Sequence, residues 1–189
     1  MRKVIVHEYA SVDGFVADRD GGLEFLGPIG GELDRMMLEE MAQIDTILLG
    51  ARTYELFVQF WPTPESKDEL IVEKLNATPK VVFSTRLERA PWGDWPDARV
   101  EPSAYDTVSE LKQQPGESMI VWGSIQVAQA LLDAGLVDEV WLGVAPVALG
   151  EGRRLFTGYA DLELIDAQIF ADSGIGMMRY RPKASGAGG

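Results

Sequence analysis

Three short stretches combine small or hydroxyl residues with arginine in a way that suits phosphate. In Gly50-Ala51-Arg52-Thr53 a glycine lets the chain turn sharply. The helix that follows opens with free N–H groups, a guanidinium and a hydroxyl. Ser84-Thr85-Arg86 supplies two hydroxyls and a second guanidinium. In Val121-Trp122-Gly123-Ser124-Ile125-Gln126 the glycine allows a ligand to approach the backbone, and another helix presents its N-terminus. Each stretch also has a plain reading: a threonine cap, a polar loop with a solvated arginine, and Ser124 as an N-cap. Together they suit a dinucleotide, which needs several separated phosphate and ribose contacts.

A proton donor completes such chemistry, and three carboxylates compete for the role. Asp34 adjoins the apolar position Leu33, where partial desolvation would let it keep a proton. It also suits the helix start through the dipole. Glu8 points into a crevice or to solvent depending on strand phase. Asp13 sits in turn chemistry. His7, the only histidine, lies between Val6 and Glu8 with no partnered nucleophile motif, which reads as structural.

The elements that must position these residues follow from periodicity. Residues 2–9 are rich in β-branched side chains and predict a strand. Leu33, Met36, Met37, Met41 and Ile44 share one helical face, predicting a helix over 32–44. Residues 45–50, 80–83, 98–101, 119–122 and 137–145 predict further strands. Helices are predicted over 52–60, 66–75 and 124–132, and on a face carrying Tyr105, Val108 and Leu111. Residues 91–96 read as a loop holding Trp92 and Trp95. Residues 162–170 and 176–181 flank a short glycine-containing loop and predict a hairpin. Strand and helix alternate and then two strands meet, which predicts an α/β fold with a mostly parallel sheet and an antiparallel C-terminal hairpin. No linker divides the chain, so 1–182 is expected to be one domain and 183–189 a flexible tail.

Composition narrows the classes. The chain has 189 residues, 46% hydrophobic and 25% charged, as a globular protein has. With no cysteine, a thiolate metal site, a disulfide scaffold and a cysteine nucleophile are excluded, and one histidine excludes a histidine-rich metal site. A net charge of −13 opposes binding to nucleic acid or anionic lipid. The N-terminus lacks a signal-peptide apolar region, and no stretch is long enough for a membrane span. A cytoplasmic location is the expectation. No G-x-G-x-x-G follows the first strand and no Walker lysine motif is present.

The assembled motifs resemble the stand-alone bacterial proteins of the riboflavin-biosynthesis reductase (RibD) C-terminal domain family, within the dihydrofolate-reductase-like fold. The resemblance covers residues 2–181. It rests on Ser11-Val12-Asp13-Gly14, on Leu49-Gly50-Ala51-Arg52-Thr53-Tyr54-Glu55 and on Val81-Val82-Phe83-Ser84. It also rests on Val121-Trp122-Gly123-Ser124 running into residues 130–139, and on Pro146-Val147-Ala148-Leu149-Gly150-Glu151-Gly152-Arg153-Arg154-Leu155-Phe156.

The resemblance implies a three-layer α/β/α fold and an NADPH-dependent reductase. Gly50, Arg52 and Thr53 would hold the pyrophosphate and the 2′-phosphate end, and Ser84, Thr85 and Arg86 the adenosine phosphate. Gly123, Ser124, Ile125 and Gln126 would lie along the pyrophosphate and nicotinamide ribose. Backbone at Ala10 and Val16 would flank the nicotinamide. Asp34 takes the place of the substrate-protonating carboxylate, ahead of Glu8 and Asp13. The implied substrate is a small planar heterocycle, pyrimidine or pterin-like, as in 5-amino-6-(5-phosphoribosylamino)uracil reduction. The alternatives are a nucleotide-binding homologue without turnover and a reductase of unrelated small carbonyl compounds. Trp61, Trp92 and Trp95 could stack on a substrate ring or serve packing alone. Relatives often form homodimers, for which the apolar stretch 137–150 is the expected surface. Two positions depart from the pattern: Ala51 stands where the family often has arginine, and Trp122 where dihydrofolate reductases have the first of two glycines.

Overall fold

The computed structural model describes residues 1–27 and 31–183. In chain order the elements are β1 (Val4–Ser11), α1 (Glu32–Met41), β2 (Ile44–Gly50), α2 (Ala51–Phe57), α3 (Val72–Ala77), β3 (Lys80–Phe83) and β4 (Ala90–Trp92). There follow β5 (Trp95–Glu101), α4 (Ala104–Gln113), β6 (Ser118–Trp122), α5 (Ile125–Asp133), β7 (Glu139–Ala145), β8 (Leu162–Phe170) and β9 (Ile175–Pro182).

The nine strands form one sheet in the order β4-β5-β3-β2-β6-β1-β7-β9-β8. From β5 to β7 every neighbouring pair is parallel. β9 runs antiparallel to β7, and β8 antiparallel to β9. The expected α/β architecture and C-terminal hairpin are therefore present. β1 lies between β6 and β7, so both of its edges are paired, and helices cover both of its faces, as parallel strands require. Ile5 enters one core with Leu33, Met36, Met37 and Met41 of α1 and Leu75 of α3. Val4, Val6 and Ala10 enter the other with Val108 and Leu111 of α4 and Val127 and Leu131 of α5. The pleat thus sends alternate β1 side chains to opposite helical layers.

Several local expectations are corrected. α1 stops at Met41 because Ile44 is already paired with Ser118 at the start of β2. The helix expected over 66–75 is a short 3-10 turn at Pro64–Ser66 and a later α3. Ser66 is buried, and its hydroxyl donates to the Trp61 and Thr63 carbonyls, which turns the chain before a helix can extend. The loop expected over 91–96 is a tight hairpin in which Trp92 pairs with Trp95 across Gly93-Asp94. On α4, Val108 and Leu111 are buried, whereas Tyr105 faces solvent. The tail predicted over 183–189 lies outside the described residues except for Lys183.

Candidate functional site

Strand order decides which turns share a crevice. The carboxyl ends of β3, β2 and β6 lie side by side, because these strands are neighbours and parallel. Their turns line one cleft of about 470 Å³. Gly50, Arg52 and Thr53 enter it from β2, Ser84, Thr85 and Arg86 from β3, and Gly123, Ser124, Ile125 and Gln126 from β6. A ligand crevice at the carboxyl edge of such a sheet is the general rule for open α/β folds.

Thr53 and Ser124 do not cap their own helices. They tie neighbouring turns together. The Ser124 hydroxyl accepts the Gly50 N–H at 2.9 Å and lies 3.3 Å from the Trp122 carbonyl, to which it donates. The Thr53 hydroxyl donates to the Gly123 carbonyl at 3.0 Å. Gly123 has φ 62°, a left-handed conformation that glycine adopts without penalty. At β3 the Ser84 hydroxyl accepts the N–H groups of Arg86 and Leu87, which shapes the third turn.

The cleft contrasts with the rest of an acidic protein. Its lining contains Arg52, Arg86 and Arg153 and no carboxylate, although Asp and Glu number 30 against 17 Lys and Arg. Among the described residues none of these three arginines forms an ion pair. Arg153 belongs to the loop after β7 and escaped the sequence reading. Its signal was two adjacent arginines following Gly150-Glu151-Gly152.

Ala10 and Val16 do not line this cleft. Both are buried. Ala10 pairs with Val144, and the Val16 N–H donates to the Arg153 carbonyl at 2.7 Å. None of the three tryptophans offered as stacking partners lines it either. Trp92 is fully buried with its indole N–H on Asn76, Trp61 packs on Phe57 and Phe60, and Trp95 lies on β5.

Asp34 stands in the first turn of α1, half-buried, on the layer that covers Ile5. Burial, and behind it the charge of Asp172, push its carboxyl above the usual range. Tyr9 near the end of β1 is pushed up by burial and then by the Asp34 charge, which places the carboxylate beside that strand. Asp172 accepts the Glu32 N–H at 2.9 Å and so caps α1 from the β8–β9 loop. Asp13 is a different kind of carboxylate. It accepts from the Ser11 hydroxyl and from the N–H groups of Leu149 and Gly150, and these bonds hold it near 2. It stays ionised and cannot donate a proton near neutrality.

Glu8 and His7 are both buried, and neither His7 nitrogen nor Glu8 Oε1 has a hydrogen-bond partner. Burial raises Glu8 to about 8. Burial, with a lesser contribution from the Arg179 charge, lowers His7 to about 3. Both are therefore neutral at pH 7, as unpaired buried groups must be. The His7 ring contacts Tyr9 and Trp122 edge-on, at 5.0 and 5.5 Å between centroids. Among the described residues no cluster of three or more His, Asp or Glu is placed to hold a metal ion. No helix among them is long and apolar enough to cross a membrane.

Comparison with known proteins bears on the same region. The sequence pattern of the RibD C-terminal domain matches residues 2–174. The chain belongs to the RibD C-terminal domain family. It is 27% identical over 186 residues to protein YyaP of Bacillus subtilis, covering 95% of this chain and 94% of that protein. It is 26% identical over 155 residues to YwjB of the same organism, covering 82% and 83%. Among solved structures, a riboflavin biosynthesis protein from Shewanella superposes with a TM-score of 0.75 at 22% identity, covering 96% of this chain and 99% of that one. The Thermotoga maritima deaminase and 5-amino-6-(5-phosphoribosylamino)uracil reductase superposes at 0.67 and 18% identity, covering 96% of this chain but 57% of that one. Dihydrofolate reductase from Enterococcus faecalis, solved with NADP(H), superposes at 0.63 and 15% identity over 96% and 97% of the two chains. The RibD-type domain thus has a dihydrofolate-reductase-like fold.

Proposed function

We propose that this RibD-type domain is an NADPH-dependent reductase of a small planar heterocycle, pyrimidine or pterin-like. The observation that carries the reading is the cleft in which three separate strand ends meet, lined by three arginines and no carboxylate. The donor set fits a phosphate-rich dinucleotide. Guanidiniums take phosphate oxygens bidentately, and hydroxyls take ribose or phosphate. Arg52, Arg86, Ser84, Thr85 and the Gly123-Ser124 turn would hold it. Such a cofactor supplies hydride when bound.

The chain's own contribution is orientation and a proton. The latched turns of β2 and β6 hold the cleft's shape before a ligand arrives, which lowers the entropic cost of binding. The Asp34 carboxyl, raised by burial and then by the charge of Asp172, would deliver a proton to a ring nitrogen of the substrate. Tyr9, beside it, limits water on that side of β1.

The test is calorimetric titration with NADPH, followed by loss of NADPH absorbance against pyrimidine, pterin and small carbonyl compounds. Binding with heterocycle-dependent oxidation is expected. Binding without oxidation would favour a nucleotide-binding homologue, and no binding at millimolar NADPH would end the reductase reading.

We propose also that the protein works in the cytoplasm and pairs into a homodimer. Within the stretch 137–150, Glu139–Ala145 form β7, which lies between β1 and β9, whereas Pro146, Ala148 and Gly150 are exposed. The edge strand β8 carries three exposed apolar side chains, Leu164, Ile165 and Ile169. Light scattering should give twice the chain mass, and Ile169→Lys should return it to one.

A further inference from the structure

Two motifs, Ser11-Val12-Asp13-Gly14 and Gly150-Glu151-Gly152-Arg153, set how Arg153 reaches the cleft. The structure joins them. The Val12 N–H donates to the Val147 carbonyl at 2.8 Å, and the Asp13 carboxylate accepts the N–H groups of Leu149 and Gly150 at 3.1 and 2.7 Å. Arg153 and Ala17 form an isolated antiparallel bridge, with Arg153 N–H donating to the Ala17 carbonyl at 2.8 Å. Gly152 makes that docking possible, since a β-carbon there would overlap the Ala17 carbonyl oxygen. The loop after β7 is therefore fastened to the turn after β1, with Arg153 backbone-bonded on both sides.

This fastening delivers the Arg153 side chain to the cleft lining, opposite α2. The guanidinium carbons of Arg52 and Arg153 lie 3.3 and 3.5 Å from one point, the place a β-carbon on Gly21 would occupy. Arg52 also donates to the Asp20 carbonyl at 2.7 Å. Among the described residues neither arginine forms an ion pair: Glu151 pairs with Arg19, and Asp18 accepts the Gly22 N–H. Two cations held side by side on fixed backbone repel each other, and an anion between them removes that cost.

We propose that Arg153 grips the diphosphate of the bound dinucleotide, opposite Arg52, while Ser84, Thr85 and Arg86 take the terminal 2′-phosphate. The inference rests on the NADPH reading above. Strand order makes the assignment. A ligand laid along the carboxyl edge meets Arg86 after β3, at one end of the cleft. It then meets Arg52 after β2 and Arg153 reaching over from the β7 side. The two hydroxyls and one arginine at the end suit a terminal phosphate, and the facing pair inside suits an internal diphosphate.

The two phosphate sites are separated by comparing NADPH with NADH, which carries the diphosphate but no 2′-phosphate. Dissociation constants are measured calorimetrically for the unaltered protein, Arg153→Ala, Arg153→Lys and Arg86→Ala. Arg153→Ala should weaken NADPH and NADH by similar factors, about tenfold or more. Arg86→Ala should weaken NADPH alone. Arg153→Lys, which keeps the charge but loses the fork, should fall between Arg153→Ala and the unaltered protein. It repeats the comparison if Arg153→Ala fails to give the native circular dichroism. Unchanged affinities in the arginine-153 variants, or a loss confined to NADPH, would overturn the assignment. If the unaltered protein bound neither nucleotide, the reductase reading itself would fall, a distinct result.

Discussion

The Ser124 hydroxyl and the Gly50 N–H are 2.9 Å apart, and this bond joins the ends of two strands that are 74 residues apart in the chain. The turn after β2 and the turn after β6 are thus held in one arrangement by protein contacts alone. Ser124→Ala leaves the half-buried Gly50 N–H without that partner. Equilibrium urea unfolding should show a loss of roughly 1–2 kcal/mol, and NADPH affinity should fall in parallel because the cleft is less fixed. An unaltered midpoint would mean the latch contributes nothing.

Asp34→Asn keeps the size of the side chain and removes the proton. Turnover should drop by about a hundredfold or more, while the NADPH dissociation constant stays the same, since Asp34 does not line the cofactor cleft. In the unaltered protein, the proposed reductase rate should fall as pH rises through the elevated Asp34 pKa, because only the protonated acid donates. That limb should vanish in the asparagine variant. Steady-state kinetics over pH, paired with calorimetry, checks both halves.

Asp172→Asn removes the negative charge that helps raise Asp34. The carboxamide oxygen can still accept the Glu32 N–H, so α1 keeps its cap. The alkaline limb of the rate profile should therefore move to lower pH with the maximum rate preserved. A limb that stays in place would show that the two carboxylates do not communicate.

Glu8 and His7 predict opposite pH dependences of stability. The Glu8 carboxyl is raised from 4.5 to about 8 by burial. Its contribution is full below pH 4.5 and is lost as pH rises through 8, because the unfolded chain ionises first. His7 is lowered from 6.5 to about 3, first by burial and then by the Arg179 charge. Its contribution is full above pH 6.5 and is lost as pH falls through 3. Glu8→Gln should flatten the alkaline side of the stability curve, with a gain of roughly 3–4 kcal/mol at pH 8 relative to pH 5. His7→Asn should flatten the acid side. Chemical denaturation across pH 4–9 separates the two.

Much of this site was readable before any coordinates. The three turns were legible because glycine, hydroxyl and arginine at strand ends carry local signals, and alternating strands and helices dictate a parallel sheet that sets such ends side by side. The Asp34 position came through the family resemblance, since helical period alone left it as a dipole-favoured surface acid. Arg153 was not legible, because its place in the cleft depends on bonds from Asp13 and Ala17 to a loop more than 130 residues away. The mutual latching of Thr53 and Ser124 was hidden for the same reason: a hydroxyl beside a helix start looks like a cap, and only strand order shows it reaching the next turn. The β4–β5 hairpin was missed although Trp92-Gly93-Asp94-Trp95 carries a two-residue turn signal.

The cap that Asp172 places on α1 has a consequence for how the protein is made. The helix bearing Asp34 emerges early from the ribosome, but its N-terminus finds this partner only when the last hairpin is synthesised. The strand order repeats the pattern, with β1 completed by segments that follow it by more than a hundred residues. Nascent chains therefore expose an unfinished centre throughout most of translation, and a premature stop before β8 leaves a product whose β7 edge lacks β9 and whose α1 lacks the Asp172 cap.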